Sequence, residues 1–193
     1  MSSGRSSPSE PIRWDLSDLY AGPSAVRSDL EEIRDDVADF RERYRGALSE
    51  ASAAEWDAAL GEYEELLDRI GRAYAYAYLR WSTATDQEDR GAFLQEVREA
   101  YTRVHQELLF VETNWARLPE DRARTLIDAE ELEAYRHFLE VEYEKREHVL
   151  SEKEETVLSE KQLHGRSAWT RYFDEQFGDA TFAFRGEELP QQA

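Results

Sequence analysis

The sequence predicts an all-α fold: an antiparallel bundle of long amphipathic helices, with a short β-strand or hairpin at the C-terminus. Three observations predict it. Apolar residues recur every three or four positions through most of residues 24–178, the period of one buried helix face. Several of these stripes open with Ser or Thr three residues before Glu, the spacing of a capping box. The joints between stripes are short, which favours antiparallel neighbours.

Residues 1–23 read as a flexible polar tail and a docking arm. "MSSGRSSPSEPIR" has no hydrophobic stretch behind its arginines, so it is not a secretory signal. Trp14, Leu16, Leu19 and Tyr20 are large apolar side chains that gain by docking on a core. Gly22-Pro23 then breaks the chain before the first long helix.

Residues 24–178 read as a helical N-terminal domain. Val26, Leu30, Ile33, Val37, Phe40, Tyr44 and Leu48 draw the first stripe. Ser52 and Glu55 open the second, whose face carries Trp56, Leu60, Tyr63, Leu67, Ile70, Tyr74, Tyr78 and Trp81. Thr85 and Glu88 offer the same pair before Phe93, Val97, Tyr101, Val104, Leu108, Val111 and Trp115. Pro119 suits the first turn of a short helix to about Leu126. Asp128 and Glu131 are expected to open the next, carried by Leu132, Tyr135, Leu139 and Tyr143.

Ser151 and Glu154 form a further capping pair, after which Val157, Leu158 and Leu163 are expected to pack inward. Gly165 is expected to make a left-handed helix stop. Ser167 restarts a helix bearing Trp169, Tyr172, Phe173 and Phe177, and Gly178 ends it. Residues 179–193 read as the start of a truncated β element. Phe182 and Phe184 alternate with Thr181 and Ala183, and Arg185-Gly186-Glu187 offers a turn, with no second strand evident. A lone strand is not stable in water. Its partner is therefore expected beyond residue 193 or in another chain.

Forty-three acids against twenty-four Lys and Arg leave a formal charge of −19. Nucleic acid and anionic membrane are excluded as partners, because phosphate binding needs clustered cations. No apolar run approaches the roughly 20 residues of a membrane span. With no cysteine there is no disulfide framework, cysteine nucleophile or thiolate metal site, in keeping with a cytoplasmic protein.

The common zinc-peptidase motif, His-Glu-x-x-His, is absent; the nearest text, His105-Gln106-Glu107-Leu108-Leu109, lacks both the glutamate and the second histidine. No residue of this chain is expected to be catalytic or to ligate metal. Glu133, His137, Glu140, Glu144 and His148 share a helix face that reads as a solvated one. In "AYAYAYLRW", Tyr74, Tyr78 and Trp81 share one face and Tyr76 lies roughly opposite. Core packing is the main reading of this run. Tyr76 and Arg80 are its candidates for lining a substrate channel, with Tyr76 the tyrosine expected to open toward a cavity.

Several blocks carry a resemblance. "WDLSDLY", "LRWSTATDQED", "EKREHVLSEKEETVLSEKQLHGRSAWTRYFDEQF" and then "TFAF" follow the order seen in the oligoendopeptidase F family of thimet-like zinc metallopeptidases. The block from Glu144 to Phe177 is the specific one. From Trp14 onward the chain resembles only the N-terminal helical part of that family. The resemblance implies a largely helical fold, a channel admitting short peptides, and zinc on a His-Glu-x-x-His motif that this chain lacks. Zinc would then sit in a missing C-terminal catalytic domain, where it polarises the scissile carbonyl and activates water. The chain alone is expected to be inactive. The alternative is a stand-alone acidic helical bundle that binds a partner protein. Exposed fragment surfaces also make a homodimer an expectation.

The basic residues are three lysines against twenty-one arginines. Such acid excess with so little lysine suits a salt-rich cytoplasm, where a Debye length of about 3 Å at molar salt screens the repulsion. The urea midpoint is accordingly expected to rise from dilute to molar salt. Equal midpoints would rule out salt adaptation.

Overall fold

Helix α1 (Pro23–Tyr44) begins on a proline, whose ring holds φ near the helical value and whose missing N–H would be unpaired there anyway. Val26, Ile33, Val37 and Phe40 form its buried face. The helix ends at Tyr44, and two residues on Gly46, with a φ of 96°, takes the left-handed conformation open to glycine. Leu48 of the first stripe is fully buried but sits in a separate 3-10 turn, Leu48–Glu50. The computed structural model describes residues 15–184 and 187–190, without the side chains of 152, 163, 164, 179, 184 and 187–190.

Ser52 caps α2 (Ala53–Ser82) with a complete capping box: its hydroxyl accepts from the Glu55 N–H, and the Glu55 carboxylate accepts from the Ser52 N–H at 2.7 Å. At about 1.5 Å per residue these 30 residues span roughly 45 Å. Helix α3 (Glu88–Leu108) follows, then α4 (Phe110–Ala116) after a break at Leu109. Thr85 does not cap α3. The Gln87 N–H bonds back to the Ala84 carbonyl in a turn, so the helix starts one residue after Gln87 and Thr85 stays outside it.

Ion pairs fix the direction of packing. Arg43 pairs with Glu62, and Arg69 bridges Asp29 and Asp36 at 2.6 Å each, so α1 and α2 run antiparallel. Arg27 with Glu96 and Arg41 with Glu107, both at 2.8 Å, set α1 parallel to α3. The result is an up-down-up bundle around α2.

Helix α5 (Glu120–Ile127) is anchored where Arg122 donates to the Ala51 carbonyl at 2.9 Å. The expected helix start at Asp128 is not found. Asp128 ends α5, residues Glu130–Tyr135 form a 3-10 segment against α2, and only then does α6 (Arg136–Glu144) begin. The 3-10 spacing still buries Leu132, and α6 buries Leu139. These layers close one large core in which Trp56 and Trp115 meet edge to face at 5.2 Å. The Trp115 indole N–H donates to the Leu139 carbonyl at 2.9 Å. A second core gathers Val26, Ala73, Tyr76, Ala77, Trp81, Phe93, Leu94 and Val97. Leu16, Leu19 and Tyr20 pack against it; Trp14 and the tail before it lie outside the described residues.

Past the turn Lys145–Glu147, Ser151 caps α7 (Glu152–His164) with a second complete capping box. Gly165 alone separates it from α8 (Arg166–Asp179). Gly165 is not left-handed (φ −98°, ψ −111°). Glycine is needed there because a Cβ would stand 2.8 Å from the Lys161 carbonyl oxygen. Strand β1 (Thr181–Phe184) pairs antiparallel with β2 (Glu187–Pro190), Phe182 opposite Leu189. The second strand unseen in the sequence is therefore present: "EELP" carries too few β-forming residues to signal one. The expected turn at Arg185-Gly186 lies outside the described residues. No helix among the described residues is long and apolar enough to cross a membrane.

Removing the Trp115 side chain is expected to lower the unfolding free energy by about 3–5 kcal/mol in Trp115→Ala. Urea melts check this; a loss under about 1 kcal/mol would contradict its place in the core. A second outcome concerns Glu112, which accepts a hydrogen bond from the buried Tyr63 hydroxyl at 2.8 Å. Burial pushes the Glu112 carboxyl up, aided by Glu142 and opposed by the Tyr63 hydrogen bond and Lys145. The folded state thus binds that proton more tightly than the unfolded chain. This contribution is complete below the ordinary carboxylate range and is lost as pH rises through the elevated pKa. Glu112→Gln keeps an acceptor for Tyr63 without the charge. Its stability relative to the unsubstituted protein should grow from pH 4 to pH 7; a pH-independent difference would contradict this.

Candidate functional surfaces

The second half of α2 carries the tyrosine run, and its two sides differ. Tyr76 is 6% exposed, with its ring edge-on to Tyr20 at 5.7 Å and to Phe93 at 6.4 Å. The expectation that Tyr76 opens toward a cavity is corrected: the arm and α3 cover it, and neither contact is visible in a local period. Trp81 is buried in the same core. Tyr78, 41% exposed, is the open tyrosine. It stacks on Tyr74 at 6.3 Å, Tyr74 meets Tyr101 at 5.2 Å, and Tyr101 meets His105 at 4.2 Å. Burial lowers the His105 pKa and favours the neutral imidazole.

Arg80 lies one turn beyond Tyr76. Its guanidinium stands 5.8 Å from the centre of the Phe93 ring and 3.5 Å from Asp89. Arg27 approaches the same ring at 5.2 Å. Arg90 donates to the Arg80 carbonyl at 2.8 Å and to the Thr83 hydroxyl at 3.0 Å, holding the end of α2. The structure thus brings Tyr76 and Arg80, one turn apart on α2, against the same Phe93 ring, with Tyr76 buried and Arg80 partly exposed.

The C-terminal elements present a different surface. Val157 and Leu158, expected to pack inward, are exposed, as are Tyr172, Phe177 and Phe182. Trp169 is 71% exposed and Phe173 56%. Trp169 meets Tyr172 edge to face at 6.1 Å, and Phe173 meets Phe177 at 4.2 Å. The rings pack on one another and leave their outer faces to solvent. A signal was present in the sequence: "EKEETVLSEKQLH" has three apolar residues in thirteen, too few for a helix face that seals a core. The expected inward position of Leu163 lies outside the described side chains.

Among the described residues no group of three His, Asp or Glu side chains could hold a metal ion. Glu133, His137, Glu140, Glu144 and His148 all face solvent.

A family model described as Oligopeptidase F matches residues 114–182, from α4 to the start of β1. Oligopeptidase PepF of Bacillus subtilis (strain 168) is 29% identical over 144 residues, 72% of this chain and 21% of that protein. Group B oligopeptidase PepB of Streptococcus agalactiae serotype III (strain NEM316) is 26% identical over 153 residues, 79% of this chain and 25% of that one. A crystal structure from Chlamydophila abortus assigned as a peptidase shares the fold, with a TM-score of 0.54 and 18% identity over 92% of this chain and 30% of that one. The chain thus spans 21% and 25% of the length of these two curated relatives. Sequence and backbone point the same way: residues 114–182 resemble the Oligopeptidase F family, and the chain as a whole is similar to part of proteins named as oligopeptidases.

Proposed function

We propose that this chain is the N-terminal helical part of a zinc-dependent oligoendopeptidase that hydrolyses peptide bonds in short peptides in the cytoplasm. On this reading the bundle forms one wall of the substrate channel. The observation that carries it is the Oligopeptidase F match through α4–α8, joined by relatives named as oligopeptidases. The described residues offer no set of side chains that fits zinc. The sequence includes no His-Glu-x-x-His motif, and the described residues include no three-ligand cluster. The metal therefore belongs on ligands outside this chain, and no catalytic step is assigned to its residues.

Within the wall, Arg80 is the group proposed to meet a peptide, since it keeps a partly exposed guanidinium at the end of α2. Tyr76 acts behind it by supporting Phe93. A stand-alone interaction module remains the second reading, and the exposed aromatic row on α8 is the observation that favours it.

A fluorogenic-peptide assay separates the two. The 193-residue chain alone is expected to show no metal-dependent turnover, whereas the protein read on through the same frame is expected to cleave short peptides and to lose activity with chelator. Turnover by residues 1–193 would overturn the assignment of catalysis outside this chain. A frame that stops at codon 193 with no adjoining peptidase half would favour the interaction module.

A further inference from the structure

We infer that the exposed apolar side chains of α7, α8 and β1 belong to a third hydrophobic core, and that the aromatic face of α8 is the seat on which the remainder of the peptidase polypeptide docks. This rests on the oligopeptidase reading above. It moves the physical boundary of the helical bundle from residue 178 back to the joint after Lys145–Glu147.

The first argument is the polarity of α8. Its side toward the bundle is polar: Arg171 and Glu175 line a cleft with Gln87, Gly91 and Leu94, and Gly178 lies beside Thr85. At 100° per residue, Arg171, Glu175 and Gly178 cluster on one side of the helix. Trp169, Tyr172, Phe173 and Phe177 centre on the opposite side, turned away from the bundle. Arg171 and Glu175 pair with each other at 3.2 Å. A helix folded to seal the bundle would show the reverse arrangement.

The second argument is that the bundle needs nothing from this face. Trp56, Trp115, Phe40 and Phe110 are already fully buried without it. Meanwhile seven large apolar side chains (Val157, Leu158, Trp169, Tyr172, Phe173, Phe177 and Phe182) stay exposed on residues 157–182. Aromatic side chains bury about 150–250 Å² each. The row therefore offers area on the order of the ~800 Å² per side of a stable interface. The two-stranded β1–β2 sheet adds edges that another strand can extend, since a lone hairpin is marginal.

The occupant follows from size and charge. The Oligopeptidase F match runs through this face, and the fold neighbour has 30% of its length covered by the present chain, so in that fold most of the polypeptide lies elsewhere. A second copy is disfavoured, because two surfaces of a chain with net charge −19 repel in dilute salt.

Hydrogen exchange tests this on two proteins, the 193-residue chain and the longer product of the same frame, with peptide hydrolysis recorded on the longer one. Amides of residues 152–183 are expected to exchange about 100-fold more slowly in the longer protein, while α2 and α3 are equally protected in both. Trp169→Asp with Phe173→Asp should abolish that difference, and Trp169→Phe with Phe173→Leu should keep it. Equal exchange in the two proteins would overturn the docking seat, even where the longer one cleaves peptides. Protection in the longer protein without hydrolysis would keep the seat and sink the peptidase reading. Protection that appears in the 193-residue chain at high concentration and vanishes in the Asp variants would assign the face to a second copy and overturn the proposal.

Discussion

The fold depends on one helix being buried along two sides. Helix α2 supplies Trp56, Leu60, Tyr63, Leu66 and Ile70 to the larger core, and Ala73, Tyr76, Ala77 and Trp81 to the smaller one. Buried alanines at 59, 73 and 77 permit close approach by the neighbouring helices, while the tryptophans near each end fill the wider space. Because α1, α3 and the 3-10 segment all pack on this helix, a shift in its register would disturb both cores together. Its capping box matters for that reason: it sets where the helix begins.

Charge serves direction more than stability. Exposed ion pairs contribute little each. Yet the arginine forks reach from helix to helix: Arg69 bridges Asp29 and Asp36 of α1, and Arg27 grips Glu96 with Nε and Nη2. A planar guanidinium does this better than an ammonium, because it offers parallel donors in a fixed geometry. The arginine-rich, lysine-poor composition thus has a structural use besides its relation to salt. Tyr20 extends the same network, donating to Asp29 beside Arg69 and tying the arm to the bundle.

The functional question turns on contrast between two regions. Up to α6 most large apolar side chains are covered, with Tyr78, Leu79 and Phe138 as exceptions; from α7 onward the described ones are exposed. This chain spans 21% and 25% of the two curated oligopeptidase relatives, and on the docking proposal above the remaining polypeptide would cover this surface. The aromatic ladder of Tyr78, Tyr74, Tyr101 and His105, and the contacts of Arg80 and Arg27 with Phe93, lie on the packed helices α1, α2 and α3.

By itself the sequence determined the helical class, the stripes of α1, α2 and α3, and the helix starts at Ser52 and Ser151, because period and capping chemistry are local properties. It also determined that no zinc-peptidase motif lies in this chain. Tertiary structure alone decided the rest. Thr85 and Asp128 have the right chemistry for caps, but chain reversals moved the helix starts past them. Tyr76 is covered by residues 56 positions before it and 17 after it in sequence, Tyr20 and Phe93, which no local pattern reports. The outward turn of α8 was invisible for the same reason. A helical period tells which side chains share a face, and only packing tells which face meets the protein and which meets water.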